Sequence, residues 1–179
     1  MAKTKKRIIL TGAQGTGKTT LMNELAKDGT KTLSIARETA VELGWPVAPE
    51  KLEGYQKTLF SKMQKALSSK KNYISDRGLT CVAAHTFSEA LVENITKKTA
   101  DSQYLKLQKF HKDNPDILVV YVPIEFEISD DGVRNIDKDN QEKIDFLIKN
   151  ILDTAGIKYI TVTGTVEQRL AQIEQALNC

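Results

Sequence analysis

Short apolar runs alternate along the chain with stretches in which apolar residues return every three or four positions. Ile8-Ile9-Leu10 predicts a strand over about Arg7–Thr11, and Leu21, Met22 and Leu25 predict a helix that runs to about Asp28 and stops at Gly29. Lys31–Ala36 alternates weakly and is rich in Thr and Ile, so it reads as a second strand with Arg37-Glu38-Thr39 at its end. From Pro49 a helix follows, with Leu52, Tyr55, Leu59, Met63 and Leu67 on one face. Tyr73-Ile74-Ser75-Asp76 is a short third strand. A helical region then spans about Leu79 to Lys112, in two pieces divided near 97–102. Ile117–Val122 is continuously apolar, the pattern of a strand buried on both faces. Glu125–Asp139 is polar and acidic with Gly132 inside, and reads as an exposed loop. Ile144, Leu147, Ile148, Ile151 and Leu152 mark one face of a helix that Gly156 ends. Ile157–Thr163 is a fifth strand, and Thr165 with Gln168 forms a capping box for a last helix.

Five strands alternating with helices predict an α/β domain with a parallel sheet. In such sheets ligands sit beyond the carboxyl ends of the strands. That rule selects the polar residues that matter: the loop after the first strand, Arg37 and Glu38, Asp76 and Arg77, Arg134 in the acidic loop, and Gly164 with Thr165. Length changes the picture little, since 179 residues make one domain with room for a sizeable core. A net charge of +3 is too small to argue for a nucleic acid partner. Part of it comes from Lys3, Lys5, Lys6 and Arg7, which read as a solvated start to the chain. Cys81 and Cys179 have no metal-like spacing, so neither a disulfide scaffold nor a zinc site is expected. No apolar run approaches the ~18 residues that span a bilayer, and the expected location is the cytoplasm.

The candidate chemistry begins at Gly12-Ala13-Gln14-Gly15-Thr16-Gly17-Lys18-Thr19, followed by Thr20. This is the G-x-x-x-x-G-K-[ST] phosphate loop, set between a strand and a helix as the motif requires. Glycines let successive backbone amides curl inward onto phosphate oxygens, and the helix adds its positive end. Lys18 is placed to reach the outer phosphates, and the Thr19 hydroxyl to ligate Mg²⁺. Asp76, at a strand end beside such a loop, can hold Mg²⁺ or its waters, and Arg77 can clamp a phosphate. Glu38 is a candidate general base or a group that organises the acceptor or the metal, and Arg37 a candidate acceptor contact. Arg134 on a closing loop can stabilise charge on a moving phosphoryl group. His85 and Trp45 either face an acceptor or serve the fold.

Together these residues resemble the phosphate-loop nucleoside and nucleotide kinases. The pattern is similar to the AAA_28 group, which includes the kinase domain of bifunctional nicotinamide-nucleotide proteins, and next to thymidylate kinases. It is carried by Gly12–Thr19, Arg37-Glu38, Asp76-Arg77-Gly78 with Ala84 and His85, Gly132-Val133-Arg134, and Thr163 to Leu170. The resemblance implies a three-layer phosphate-loop kinase fold with a five-stranded parallel sheet, and ATP with Mg²⁺. It implies that 1–179 is a single kinase domain, with acceptor-binding helices over 49–112 and a lid over 124–140. Asp76 and Arg77 fall on that group's catalytic pair, Arg134 on its lid arginine, and Gly164 and Thr165 on the loop that passes the donor adenine. The Pro-Gly-Gly that follows Arg-Glu in thymidylate kinases is absent, because Thr39-Ala40-Val41 stands there. The expected acceptor is a deoxynucleoside monophosphate. Ribosylnicotinamide, another nucleoside, and a modified base or end within a polynucleotide are the alternatives. A homodimer is compatible with the chain. A nucleotide-binding switch ATPase is the reading from a different class.

Overall fold

The structure, a computed structural model, describes residues 6–125 and 137–178. Five strands form one parallel sheet: β1 (Arg7–Thr11), β2 (Thr32–Leu33), β3 (Tyr73–Asp76), β4 (Leu118–Tyr121) and β5 (Tyr159–Thr161), in the order β2-β3-β1-β4-β5. Among the described residues seven α-helices surround it: α1 (Lys18–Leu25), α2 (Ile35–Leu43), α3 (Pro49–Leu67), α4 (Leu79–Ala90), α5 (Lys97–Asp113), α6 (Lys138–Thr154) and α7 (Val166–Leu177). Side chains alternate between the two faces of a strand. Ile9 therefore enters a core with α3, α4, α5 and α6, while Ile8 and Leu10 enter a second core with α1 and α7. Helices on both faces make the three layers of a phosphate-loop kinase fold, as expected. Among the described residues no helix is long and apolar enough to cross a membrane.

Several elements lie where the periodicity puts them. β3 and α3 have their expected spans, and all five spaced residues of α3 are buried. A turn of 3₁₀ helix, Ala26–Asp28, extends α1 to Gly29, whose φ of +83° ends it. The Thr165–Gln168 capping box forms at the start of α7. The second strand is the main correction. Only Thr32–Leu33 pairs with β3, and the chain turns at Ser34 into α2. Arg37 and Glu38 thus lie on a helix rather than at a strand end. Ile35 and Ala36, which read as strand, instead pack against the larger core from that helix. The break in the long helical region falls over 91–96, earlier than expected.

The basic start is a second correction. Arg7 is 1% exposed and begins β1. Its guanidinium pairs with Asp116 at 2.7 Å and donates to the Asn114 side chain at 3.0 Å. Lys6 pairs with Asp28 at 2.8 Å. These residues pin the amino end of the central strand, and Lys3 and Lys5 lie outside the described residues.

Register places the carboxyl ends of β1, β3 and β4 together. Leu10 pairs with Asp76, and Thr11 with Tyr121. Beyond the strands, the Arg77 amide donates to the Leu10 carbonyl at 3.0 Å and the Val122 amide to Thr11 at 2.8 Å. Gly78 then lets the chain cross over Ile9, because a Cβ there would lie 2.5 Å from the Ile9 Cγ2 methyl. Gly78→Ala is expected to lower stability by about 1–3 kcal/mol through this overpacking. Urea unfolding checks it, and an unchanged midpoint would show that Ile9 yields.

Candidate active site

The phosphate loop leaves β1 at Gly12 and ends where Gly17, in the left-handed conformation, caps α1. Positive φ at Gly12, Gly15 and Gly17 produces the curl. Lys18 is buried and folds back on its own loop. Its Nζ donates to the Ala13 carbonyl and, at 3.2 Å, to the Thr16 hydroxyl. Burial lowers its pKa from 10.5 to about 8; Arg77 adds to the fall, and Cys81, Asp76 and Asp145 oppose it. An ammonium held this way gains from an anion delivered to the loop.

Asp76 joins the loop directly. Its Oδ2 accepts a hydrogen bond from the Thr19 hydroxyl at 2.7 Å. Two hard oxygens side by side at the start of α1 suit Mg²⁺, which takes its remaining ligands from phosphate and water. Among the described residues no group of three His, Cys, Asp or Glu forms a self-contained metal site. Arg77 has φ of +83°, unusual for a residue with a side chain. The conformation is held at both ends, since its amide donates to Leu10 and its carbonyl accepts from the Ser75 hydroxyl at 2.7 Å. Such strain persists only where neighbours over-determine it.

The charge on Arg77 bears on Lys18, Tyr55 and His85. His85 is half-buried by surface area, yet its ring sits deep enough that burial, aided by Arg77 and Lys18, lowers its pKa to about 4. It is a neutral hydrogen-bonding group near pH 7. Tyr55 carries Trp45 against its ring at 5.0 Å, and Trp45 is 53% exposed. His85 on α4 and Tyr55 on α3 thus both lie within reach of the Arg77 charge, and Tyr55 extends that group to Trp45. Cys81 is buried beneath the loop, its Sγ 3.1 Å from the Thr11 hydroxyl, a structural placement.

The other candidates are placed differently. Arg37 and Glu38 are exposed in the first turns of α2, without a side-chain partner among the described residues. Thr20 is exposed on α1. The Thr165 hydroxyl is engaged by the Gln168 amide at 3.3 Å, so the Gly164–Thr165 loop offers backbone rather than that hydroxyl. Arg134 lies outside the described residues, as does most of the expected lid. Three further residues, which no motif or spacing marks as site residues, touch this region: Gln141, Arg169 and Glu125. Gln141 donates to the Gln14 carbonyl at 2.7 Å and Arg169 to the Thr16 carbonyl at 2.9 Å. Arg169 also pairs with Glu125. Arg169 carried a faint signal, as part of the Thr163–Leu170 stretch.

A family model described as an AAA domain, AAA_28, matches residues 7–169. No curated protein sequence matches the chain. Among solved structures, the chain is similar to deoxyadenosine kinase from M. mycoides with the products dCMP and dCDP bound, at 16% identity and TM-score 0.69, covering 96% of this chain and 98% of that one. It is similar to NadR protein in complex with NR, at 18% identity and TM-score 0.69, covering 98% of this chain and 52% of that one. Thymidylate kinase from Candida albicans gives 16% identity and TM-score 0.57, covering 97% of this chain and 91% of that one. At these identities the likeness is one of fold, a nucleoside- and nucleotide-kinase-like phosphate-loop fold.

Proposed function

Since the chain belongs to the AAA_28 family of AAA domains, we propose that it is an ATP- and Mg²⁺-dependent kinase that transfers the γ-phosphoryl group to a nucleoside or nucleoside monophosphate. The observation that carries this reading is the 2.7 Å hydrogen bond from Thr19 to Asp76, with Arg77 next to it. It joins the phosphate grip to an acid and a cation at one rim of the sheet. Phosphoryl transfer needs little else from a protein than positioning and charge stabilisation. The loop amides and Lys18 hold the donor phosphates. Thr19 and Asp76 hold Mg²⁺, which supplies neutralising charge when bound. Arg77 faces the transferred group from the acceptor side. The helices over 49–112 supply the acceptor wall, including Tyr55 and His85.

We favour a deoxynucleoside monophosphate as the acceptor, and the charge at the site supports the anionic class to which it belongs. Arg77 and Lys18 concentrate positive charge there, which suits an anionic acceptor, and the neutral His85 is left to hydrogen-bond. Glu38 and Arg37 then orient the acceptor from α2. A nucleoside such as ribosylnicotinamide is the second reading, favoured by the exposed Glu38 carboxylate on α2, while the Trp45–Tyr55 ring pair suits the base of either acceptor. Glu38 would then take the hydroxyl proton. Incubation with MgATP and a panel of deoxynucleoside and nucleoside monophosphates, nucleosides and a DNA oligomer, read by mass spectrometry, tests both. One class should gain a phosphate, and no gain by any of them overturns the proposal.

The state of Lys18 makes a further prediction. Bound phosphate keeps its ammonium charged, whereas in the free protein it loses its proton near pH 8. ATP affinity is therefore expected to fall as pH rises through about 8, with proton uptake on binding above that pH. Calorimetry at pH 8.5 in two buffers of different ionisation enthalpy measures the uptake, and none contradicts the assignment.

A further inference from the structure

The carbonyl side of the phosphate loop is held by two side chains from outside it. Gln141, in the first turn of α6, is buried, and its Nε2 donates to the Gln14 carbonyl at 2.7 Å. Arg169, in α7, is 4% exposed, and its Nη1 donates to the Thr16 carbonyl at 2.9 Å. Arg169 is itself steadied by Glu125, whose Oε2 also accepts the Gly164 amide at 2.9 Å.

A trans peptide unit is planar, so its C=O and the following N–H point in opposite directions. Holding the Gln14 carbonyl outward turns the Gly15 amide inward. Holding the Thr16 carbonyl outward does the same for Gly17. Gly15 has φ of +77° and Gly17 of +88°, and both are solvent-exposed. Glycine has the least intrinsic preference to keep such a geometry, so these peptide units gain most from an external hold.

We propose that Gln141 and Arg169 are positioning residues that keep the Gly15 and Gly17 amides facing the phosphates. This rests on the nucleotide-binding reading above. The two residues come from opposite sides of the loop, α6 and α7, and neither belongs to the motif. Through Glu125, Arg169 also joins the phosphate loop to the Gly164 loop.

The test is equilibrium binding of ATP and of inorganic tripolyphosphate to the wild type, Gln141→Met, Arg169→Met and Arg169→Lys, with thermal unfolding recorded without ligand. Loss of one such hydrogen bond is expected to weaken ATP about fivefold in Gln141→Met, and loss of the charged one about tenfold in Arg169→Met. Tripolyphosphate, which has phosphates and no base, should weaken by the same factors. Arg169→Lys should recover part of the loss. Wild-type affinities in both Met variants, whatever their melting temperatures, overturn the proposal. So does a loss confined to ATP, which would assign Arg169 to the base side through Gly164. If Arg169→Met does not fold, Gln141→Met decides. A wild type that binds neither ligand would instead overturn the nucleotide-binding reading.

Discussion

Asp76→Asn is expected to keep ATP binding within a few-fold and to slow phosphoryl transfer by roughly a thousandfold. The substitution preserves shape and leaves an oxygen for the Thr19 hydroxyl, which Asp76 now engages at 2.7 Å. It removes one negative charge from the place where Mg²⁺ is to be held. On the proposed function ATP affinity would come mainly from the loop amides and Lys18, which the substitution leaves alone. A thousandfold corresponds to about 4 kcal/mol of transition-state stabilisation, a reasonable share for one charged group in a water-poor site. Single-turnover transfer and equilibrium ATP binding, measured on the same preparations, separate the two effects. Transfer within threefold of wild type would remove Asp76 from the catalytic machinery.

Gly12→Ala is expected to weaken ATP binding more than a hundredfold and to destabilise the fold. An added Cβ would lie 2.3 Å from the Val122 backbone oxygen, at a φ of +148° that side chains avoid. Val122 cannot retreat cheaply, because its amide is bonded to the Thr11 carbonyl at 2.8 Å, just beyond the end of β4. The loop must therefore move, and its amides move with it. Gly29→Ala provides the internal control. It shares a positive φ of +83° but has nothing within 4 Å of the added atom. It should cost about 1 kcal/mol of stability and leave ATP binding unchanged. Urea unfolding and nucleotide titration of the pair distinguish a clash at the loop from a general glycine effect.

What could be read from the chain alone follows from how local each feature is. The phosphate loop is eight consecutive residues, so its place between β1 and α1 is legible in the sequence. Tyr73–Asp76 and Pro49–Leu67 were legible because their bounds are marked by polar breaks and proline. Ile35 and Ala36 were misread because a short apolar run fits either a strand or a helix, and the two-residue β2 gave no second signal. Lys6 and Arg7 read as solvated because basic residues near a chain start usually are. Their partners, Asp28, Asn114 and Asp116, lie far along the sequence. The same separation hid Gln141 and Arg169, whose contacts with the loop span 127 and 153 positions. Periodicity and motifs cannot register contacts of that kind. The proposed acceptor side shows in the sequence only as a set of residues. Its geometry depends on Arg77 in the left-handed conformation and on the placement of α2, and neither is marked by spacing.

A kinase passes the phosphoryl group to an acceptor rather than to water. A slow ATPase that signals by shape would share the phosphate loop and much of the fold. Simultaneous measurement of ADP, inorganic phosphate and phosphorylated acceptor in one reaction with labelled ATP separates the two. For a kinase, ADP should form in step with phosphorylated nucleoside or nucleotide, with little free phosphate and slow turnover when the acceptor is left out. Equal release of ADP and inorganic phosphate, at a rate indifferent to every acceptor offered, would contradict it.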